Sequence, residues 1–219
     1  MSRLSSVQLP PRPYTLARRQ ITSTSSLHDQ QTVFKDPSHE GLFYHLVPPP
    51  TPLSETHPVF AVSLLETPPT HSTSSTILGW LPAETPGEED TAGLNDFREN
   101  PRFRPLLHEA ISSALADGAD DIQINGAIQT GNGWMHIHDT RNVPALGRIG
   151  DPDDILGTVL VEDGKIQAST YSPMPSYRLC TSDGVTRLTE GLDQRLKSVL
   201  ARTNEEERAA ARRKGGEHV

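Results

Sequence analysis

Two alternating apolar segments flank the dipeptide Asp-Gly at 163–164 and form the clearest structural signal in the chain. ILGTVLV at 155–161 precedes this dipeptide, with Glu162 between them, and KIQASTY follows it directly. An Asp-Gly pair between such segments is typical of a two-residue hairpin turn. The turn predicts that Val161 lies opposite Ile166 and Val159 opposite Ala168. Because strands joined by a tight turn run antiparallel, this region predicts an antiparallel sheet.

The segment DIQINGAIQ, followed by GNG and WMHIHD, predicts a second hairpin. In its first half isoleucines alternate with amide side chains, as in a strand with one buried face. The predicted turn pairs Ile128 with Ile137 and Gln129 with His136. The interior side then carries Ile122, Ile124, Ile128, Met135 and Ile137, and the outer side carries Gln123, Asn125, Gln129, Trp134, His136 and His138.

Two other segments have helical periodicity. Apolar residues recur every three or four positions from Phe103 to Leu115, and Gly118 supplies a stop, so we predict a helix at about 103–117. His108 lies off this stripe and is expected to be exposed. A last helix carries an apolar stripe with Thr186 as its cap. That stripe is Leu188, Leu192, Leu196, Val199 and Leu200.

The resulting fold class is α+β. HPVFAVSLL and STILGWLP add two predicted strands. We expect a mostly antiparallel sheet of about six or seven strands with two amphipathic helices on one face, a disordered N-terminus and a charged C-terminal tail. The predicted organisation is a presequence at 1–26, an extended Pro-rich arm at 27–56, a single α+β domain at 57–203 and a charged helical or disordered tail at 204–219.

The composition limits the size of the core. Hydrophobic residues make up 34% of the 219 residues, and 19 are prolines, which indicates one compact domain with irregular segments. The single cysteine, Cys180, cannot form an internal disulfide, which favours a reducing compartment. No apolar run approaches the ~20 residues that span a bilayer, so the sequence predicts a soluble protein.

Residues 1–26 have the composition of a mitochondrial transit peptide. They contain four arginines and many serines and threonines, and the first carboxylate is Asp29. Such segments are drawn towards the negative matrix side of the inner membrane. We therefore predict a mitochondrial protein of the matrix. The alternative is a cationic tail that needs no import.

The remainder of the chain is acidic. From residue 27 onward, 16 Lys plus Arg stand against 28 Asp plus Glu, a net charge of −12. Nucleic-acid binding depends on neutralising phosphates with Lys and Arg, so nucleic acid is not an expected partner. Another protein with a cationic patch is compatible with this charge.

The candidate binding surface follows from the predicted hairpin and the loop after it. Five residues of that loop are expected to form ion pairs that brace it: Arg141, Arg148, Asp151, Asp153 and Asp154. An exposed tryptophan among amides and imidazoles is typical of an interaction surface. We predict a surface made of Gln123, Asn125, Gln129, Trp134, His136, His138, Arg141 and Arg148.

His136 and His138 share a strand face, and this spacing can hold a metal. Asp139 points away from them on a regular strand, so we favour no metal and no cofactor. The chain also has no P-loop, G-x-G-x-x-G, nucleophile elbow or C-x-x-C. The favoured hypothesis is a non-catalytic mitochondrial accessory or assembly factor that binds a partner protein. The alternative is a small-ligand-binding or metal-dependent enzyme that uses His136 and His138.

Overall fold

The computed structural model describes residues 32–83, 96–144 and 150–216 of the 219-residue chain. In these residues ten strands form sheets of five, three and two strands, accompanied by three α-helices. Every strand pair is antiparallel. The predicted α+β class and antiparallel pairing are confirmed, although the strands lie in three sheets rather than one. The predicted presequence at 1–26 and Arg148 lie outside the described residues.

The five-stranded sheet is formed by the first part of the described chain. Its strands pair in chain order: β1 (Val33–Lys35), β2 (Phe43–Val47), β3 (Val59–Ser63), β4 (Gly79–Pro82) and β5 (Arg98–Glu99). The two strands predicted from HPVFAVSLL and STILGWLP are β3 and β4, and Phe60 pairs with Leu81. Residues 27–56 contribute β1 and β2 to this sheet, and Leu42 beside β2 is fully buried.

Helix α1 (Phe103–Asp117) has the bounds that its apolar periodicity predicts. Its buried stripe is Phe103, Leu107, Ala110, Ile111, Ala114 and Leu115. Gly118 ends the helix in the left-handed conformation, with φ of 60°. His108 is not exposed as predicted. It is half-buried, with its Nδ1 atom 2.9 Å from the Tyr171 hydroxyl.

The segment predicted as the first strand of a hairpin is instead helix α2 (Asp121–Thr130). The carboxylate of Asp120 accepts the N–H groups of Ile122 and Gln123, and this cap starts the helix. In the helix Gln123 and Ala127, four residues apart, share the buried side. Ile122 and Ile128 are therefore exposed, and the predicted burial of these two isoleucines is wrong.

The three-stranded sheet has β7 (Ile155–Glu162) between β6 (Gly133–His138) and β8 (Lys165–Pro173). The predicted β7–β8 hairpin is confirmed, because Val161 pairs with Ile166 across the turn at 163–164. The register then shifts between Thr158 and Leu160, so the predicted Val159–Ala168 pair is not part of the ladder. At this shift Thr170 Oγ1 accepts the Leu160 N–H at 2.9 Å.

Strand β6 pairs with β7 and not with residues 121–130. Met135 lies opposite Val159, and Ile137 lies opposite Gly157. The predicted pairs Ile128–Ile137 and Gln129–His136 are wrong, because a helix has no free main-chain groups to offer a neighbouring strand. Helix α2 instead packs against the side of the sheet that bears Met135.

The last described elements are the short hairpin of β9 (Cys180–Thr181) and β10 (Gly184–Val185) and helix α3 (Glu190–Gly216). Leu192, Leu196, Val199 and Leu200 of the predicted stripe are buried. Thr186 does not cap this helix, since its hydroxyl contacts Tyr177 and the Leu179 carbonyl. The charged segment after residue 203 continues as helix to Gly216.

The main core cluster joins both larger sheets to all three helices. A smaller cluster of Val59, Ala61, Ile77 and Trp80 lies on the opposite face of the five-stranded sheet. The three-stranded sheet contributes the residues of only one face to the main cluster, so its other face lies outside this core. None of the helices in the described residues is long and apolar enough to cross a membrane.

Candidate functional site

Strand β6 presents its side chains to two opposite environments. Met135 and Ile137 are buried in the main core. Because side chains alternate along a strand, Trp134, His136 and His138 lie on the opposite face of the three-stranded sheet. We call this opposite face the outer face. Its rows follow from the strand register and are Trp134–Leu160–Gln167 and His136–Thr158–Ser172.

Trp134 is the most unusual residue of the outer face. Its side chain is 62% exposed, whereas the other tryptophan, Trp80, is 4% exposed and donates its indole N–H to the Ser72 carbonyl. In the neighbouring strand Leu160 is the cross-strand partner of Trp134 and is partly exposed. An indole and a leucine side by side on an accessible sheet face form an apolar centre, which is typical of a protein-binding surface.

His136 and His138 lie side by side next to this centre. Their ring centroids are 6.0 Å apart, with an angle of 74° between the ring planes. In each ring the Nδ1 atom is buried and has no hydrogen-bond partner in the described part of the chain. Of the two tautomers of a neutral imidazole, a buried Nδ1 without an acceptor favours the one that carries its proton on Nε2.

Gly150 explains why the Nδ1 atom of His138 is covered. A Cβ atom placed on Gly150 would lie 2.9 Å from that nitrogen, so the main chain at residue 150 packs directly on the ring. Burial lowers the pKa of His138, and the neighbouring His136 lowers it further, whereas Asp154 opposes the shift. The ring is therefore neutral at neutral pH.

Four described histidines have a pKa lowered by burial: His39, His45, His108 and His138. In the unfolded chain a histidine titrates near pH 6.5, so below this pH the unfolded state binds more protons than the folded state. The stability that the four neutral histidines contribute is therefore fully present above about pH 6.5. It decreases as the pH falls towards their lowered pKa values in the folded state. We expect the melting temperature to be about 5 °C lower at pH 5.5 than at pH 7.5.

Calorimetry of the wild type and two variants at these pH values checks this expectation. His138→Gln removes one of the four groups and is expected to reduce the pH dependence. Gln129→Ala changes an exposed residue that does not titrate and is expected to leave the pH dependence unaltered. A protein that is more stable at pH 5.5 than at pH 7.5 would contradict the sign of the effect.

The two histidines provide at most two protein ligands for a metal. No group of three His, Cys, Asp or Glu side chains with metal-binding geometry occurs in the residues that the structure describes. Zinc sites in proteins use three or four protein ligands. Asp139 is fully buried and accepts a hydrogen bond from the Tyr177 hydroxyl at 2.7 Å, so it is not directed towards the histidines.

The three predicted amide residues do not share the outer face. Gln123 is buried on α2, and Asn125 and Gln129 are exposed on the same helix. Helix α2 lies on the inner side of the sheet, where a Cβ atom on Gly126 would be 3.2 Å from the Met135 sulfur. The structure therefore separates the amides from Trp134 and the histidines, contrary to the predicted common surface.

Arg141 is also placed away from the outer face. Its side chain is 2% exposed, and its Nε donates to Asp154 Oδ1 at 2.8 Å. The same guanidinium donates to the carbonyl oxygens of Asp153, Arg178 and Gly184. Part of the predicted ion-pair brace of this loop is thus observed, and Arg141 has a structural role.

Tyr177 completes this buried polar cluster and has no local signature in the sequence. Its hydroxyl donates to Asp139 Oδ2 and lies 2.8 Å from Thr186 Oγ1. Asp139 Oδ1 accepts the main-chain N–H groups of Arg141 and Arg187. Burial raises the pKa of Asp139, and these hydrogen bonds oppose that shift. Because its polar atoms are paired with one another, the cluster stabilises the loops around β6.

A polar cleft of about 230 Å³ lies beside this cluster. It is bordered by His39, Tyr44 and Arg187, and Arg141 forms one wall. Neither His136 nor His138 borders it, so the cleft and the outer face are separate places on the molecule. Leu160, Thr158, Gln167 and Ser172 were missed as members of the outer face, because they follow only from the pairing of β6 with β7.

Comparisons with known proteins add no relative to this description. The chain matches no protein-family model, no curated protein sequence and no solved structure. The outer face and the buried cluster are therefore interpreted from their own chemistry.

Proposed function

We propose that this protein is a non-catalytic mitochondrial accessory or assembly factor that binds a partner protein through the outer face of its three-stranded sheet. The observation that carries the proposal is the 62% exposure of Trp134 beside Leu160. Tryptophan is enriched among the few residues that contribute most of the binding energy at protein interfaces. The surrounding hydroxyl, amide and imidazole groups supply a polar rim around the apolar centre.

The partner we propose has a cationic surface. The chain after the predicted presequence has 16 basic and 28 acidic residues, which attracts positive charge. The face of an exposed indole is also the best aromatic site for a guanidinium or ammonium group. The composition of residues 1–26 supports a matrix location, since they are rich in arginine and contain no acidic residue.

The alternative function is a small-ligand-binding or metal-dependent enzyme that uses His136 and His138. The 6.0 Å separation of the two rings favours it. The described residues provide no third ligand, and neither ring borders the polar cleft of about 230 Å³, which counts against it. Metal retained by the purified protein and released in His136→Gln and His138→Gln would favour this alternative over the proposed partner binding.

Trp134→Ala is expected to weaken partner binding about 30-fold, the loss expected of a central interface residue. The partner is first identified by crosslinking and mass spectrometry of the full chain in mitochondria, and its affinity is then measured with purified proteins. Ile122→Ala is a matched control, because Ile122 is also 62% exposed but lies on α2. Equal affinities for wild type and Trp134→Ala would show that the outer face does not bind the partner.

A further inference from the structure

The outer edge of strand β6 indicates how a partner protein binds to this sheet. Among the described residues, β6 is an outer strand of the three-stranded sheet: one side of its main chain pairs with β7, and the other side pairs with no described strand. The Leu160 N–H points towards β8, where it meets Thr170 Oγ1. Alternate residues of a strand point to opposite sides, so Val159 and Val161 point towards β6. Their partners Met135 and Gly133 in turn point towards β7.

It follows that the main-chain N–H and C=O groups of Trp134 and His136 point away from the sheet. In the described part of the chain these groups have no main-chain hydrogen bond across that edge. The same two residues place their side chains on the outer face. A segment that paired with this edge would therefore also contact the indole and the imidazole.

The other edges of the two larger sheets carry features that discourage pairing. β1 has three residues and ends in Lys35, and β5 has two residues, both charged. β8 contains a register shift and has Lys165 and Pro173 at its ends. β6 has six residues, GWMHIH, with no proline and no Lys, Arg, Asp or Glu. Proteins protect edge strands with such residues, so an unprotected edge of this length is suited to accept another strand.

We propose that β6 binds an extended basic segment of a partner protein, which adds to the sheet as a fourth strand beside Trp134 and His136. This inference rests on the proposed function and specifies its binding mode. In an added strand, every second side chain lies on the outer face. Arginine or lysine at these positions is placed beside the indole and is attracted by the acidic body. A second copy of this chain is less suitable, because two bodies of like net charge repel each other.

The test uses the full chain and the peptide acetyl-Arg-Val-Arg-Val-Arg-Val-amide as the probe. Isothermal titration measures its affinity, and amide hydrogen exchange by NMR follows individual N–H groups. We expect binding and slower exchange at the N–H groups of Trp134 and His136. The same peptide with every main-chain nitrogen methylated keeps its charges and is expected to bind at least tenfold more weakly.

Two variants separate the main chain from the side chain at one position. His136→Pro removes the side chain and the outward N–H without removing a bond to β7, whereas His136→Thr removes only the imidazole. We expect at least tenfold weaker peptide binding for the proline variant and less than threefold for the threonine variant. Circular dichroism checks that both variants fold. If the proline variant does not fold, the hydrogen exchange of the Trp134 and His136 N–H groups in the wild-type chain still tests the inference.

Three results would overturn the inference. The first is no binding of the peptide. The second is peptide binding that is lost in Trp134→Ala but kept in His136→Pro, while the N–H groups of Trp134 and His136 exchange at the same rate with and without peptide. This result would leave the proposed function in place and would assign the contact to side chains. The third is protection of the same amides by self-association of the chain without peptide, which would make a second copy the occupant.

Discussion

Replacing Arg141 with methionine is expected to lower the free energy of unfolding by about 3–5 kcal/mol, the usual loss when one partner of a buried ion pair is removed. The side chains of Asp154 and Asp139 are 3% and 0% exposed, and both lie within 4 Å of the Arg141 Nε. Without the guanidinium the two carboxylates remain buried without a cation. Methionine keeps the unbranched stem, so the loss reports the charge and its hydrogen bonds rather than a cavity.

Urea denaturation followed by circular dichroism measures this difference. Arg178→Met is the matched control, because Arg178 is 65% exposed and lies 3.8 Å from Asp153, and exposed pairs contribute only about 0–1 kcal/mol. Arg141→Lys keeps the charge but cannot reach the same set of carbonyl oxygens, so it is expected to fall between the wild type and the methionine variant. A loss below about 1 kcal/mol for Arg141→Met would contradict the role assigned to this cluster.

Removing the carboxylate of Asp120 is expected to destabilise two helices at once. Oδ1 accepts the N–H groups of Ile122 and Gln123 at the start of α2. Oδ2 accepts the Thr189 hydroxyl at 2.6 Å and the Leu192 N–H at 3.1 Å at the start of α3. One helix cap contributes roughly 0.5–2 kcal/mol, so Asp120→Ala is expected to cost about 2–4 kcal/mol.

Asp121→Ala provides the control for this prediction, since Asp121 is exposed in the first turn of α2 and is expected to contribute less than about 1 kcal/mol. Asp120→Asn keeps one acceptor oxygen and is expected to lose about half as much stability as the alanine variant. Hydrogen exchange distinguishes a shared cap from a general loss. The first amides of both helices should exchange faster in Asp120→Ala, and an effect confined to α2 would rule out the shared cap.

Local patterns in the sequence predicted the elements whose structure depends on residues close to one another along the chain. The stripe from Phe103 to Leu115 and the stop at Gly118 define α1, because helix periodicity and the left-handed end are both local properties. The Asp-Gly turn at 163–164 sets the pairing of Val161 with Ile166 for the same reason. The register shift further along β8, where the Thr170 hydroxyl accepts the Leu160 N–H, was not predicted.

Helix α2 shows where a local pattern is insufficient. The alternation of isoleucine and amide residues in DIQINGAIQ fits a strand, whereas Asp120 and Gly131 fit the two ends of a helix. The packing of Gln123 and Ala127 towards the sheet decides between these possibilities. The signal that favours the helix was available in the Asp-Asp pair at 120–121, an N-terminal cap followed by an acid in the first turn.

The candidate site was predicted in part. Trp134, His136 and His138 share a face because alternation within one strand does not depend on which strand it pairs with, so this placement holds although the predicted partner of β6 was wrong. The amides of α2 were assigned to the same surface through the predicted hairpin register, and Arg141 was assigned to it as part of the loop that follows. Their positions depend on contacts between distant segments, such as the hydrogen bonds from Arg141 to the Arg178 and Gly184 carbonyl oxygens.

The sequence by itself determined the α+β class, helices α1 and α3, the β7–β8 hairpin and the two-sided character of β6. These features follow from periodicity and turn chemistry within a few residues. Only the tertiary structure decided that β7 is the neighbour of β6, that Asp120 caps two helices and that Tyr177, Asp139 and Arg141 meet in one buried cluster. Such contacts join residues up to about 70 positions apart. Their hydrogen bonds are strengthened by the low-dielectric surroundings that only the complete fold provides, and no local pattern encodes these surroundings.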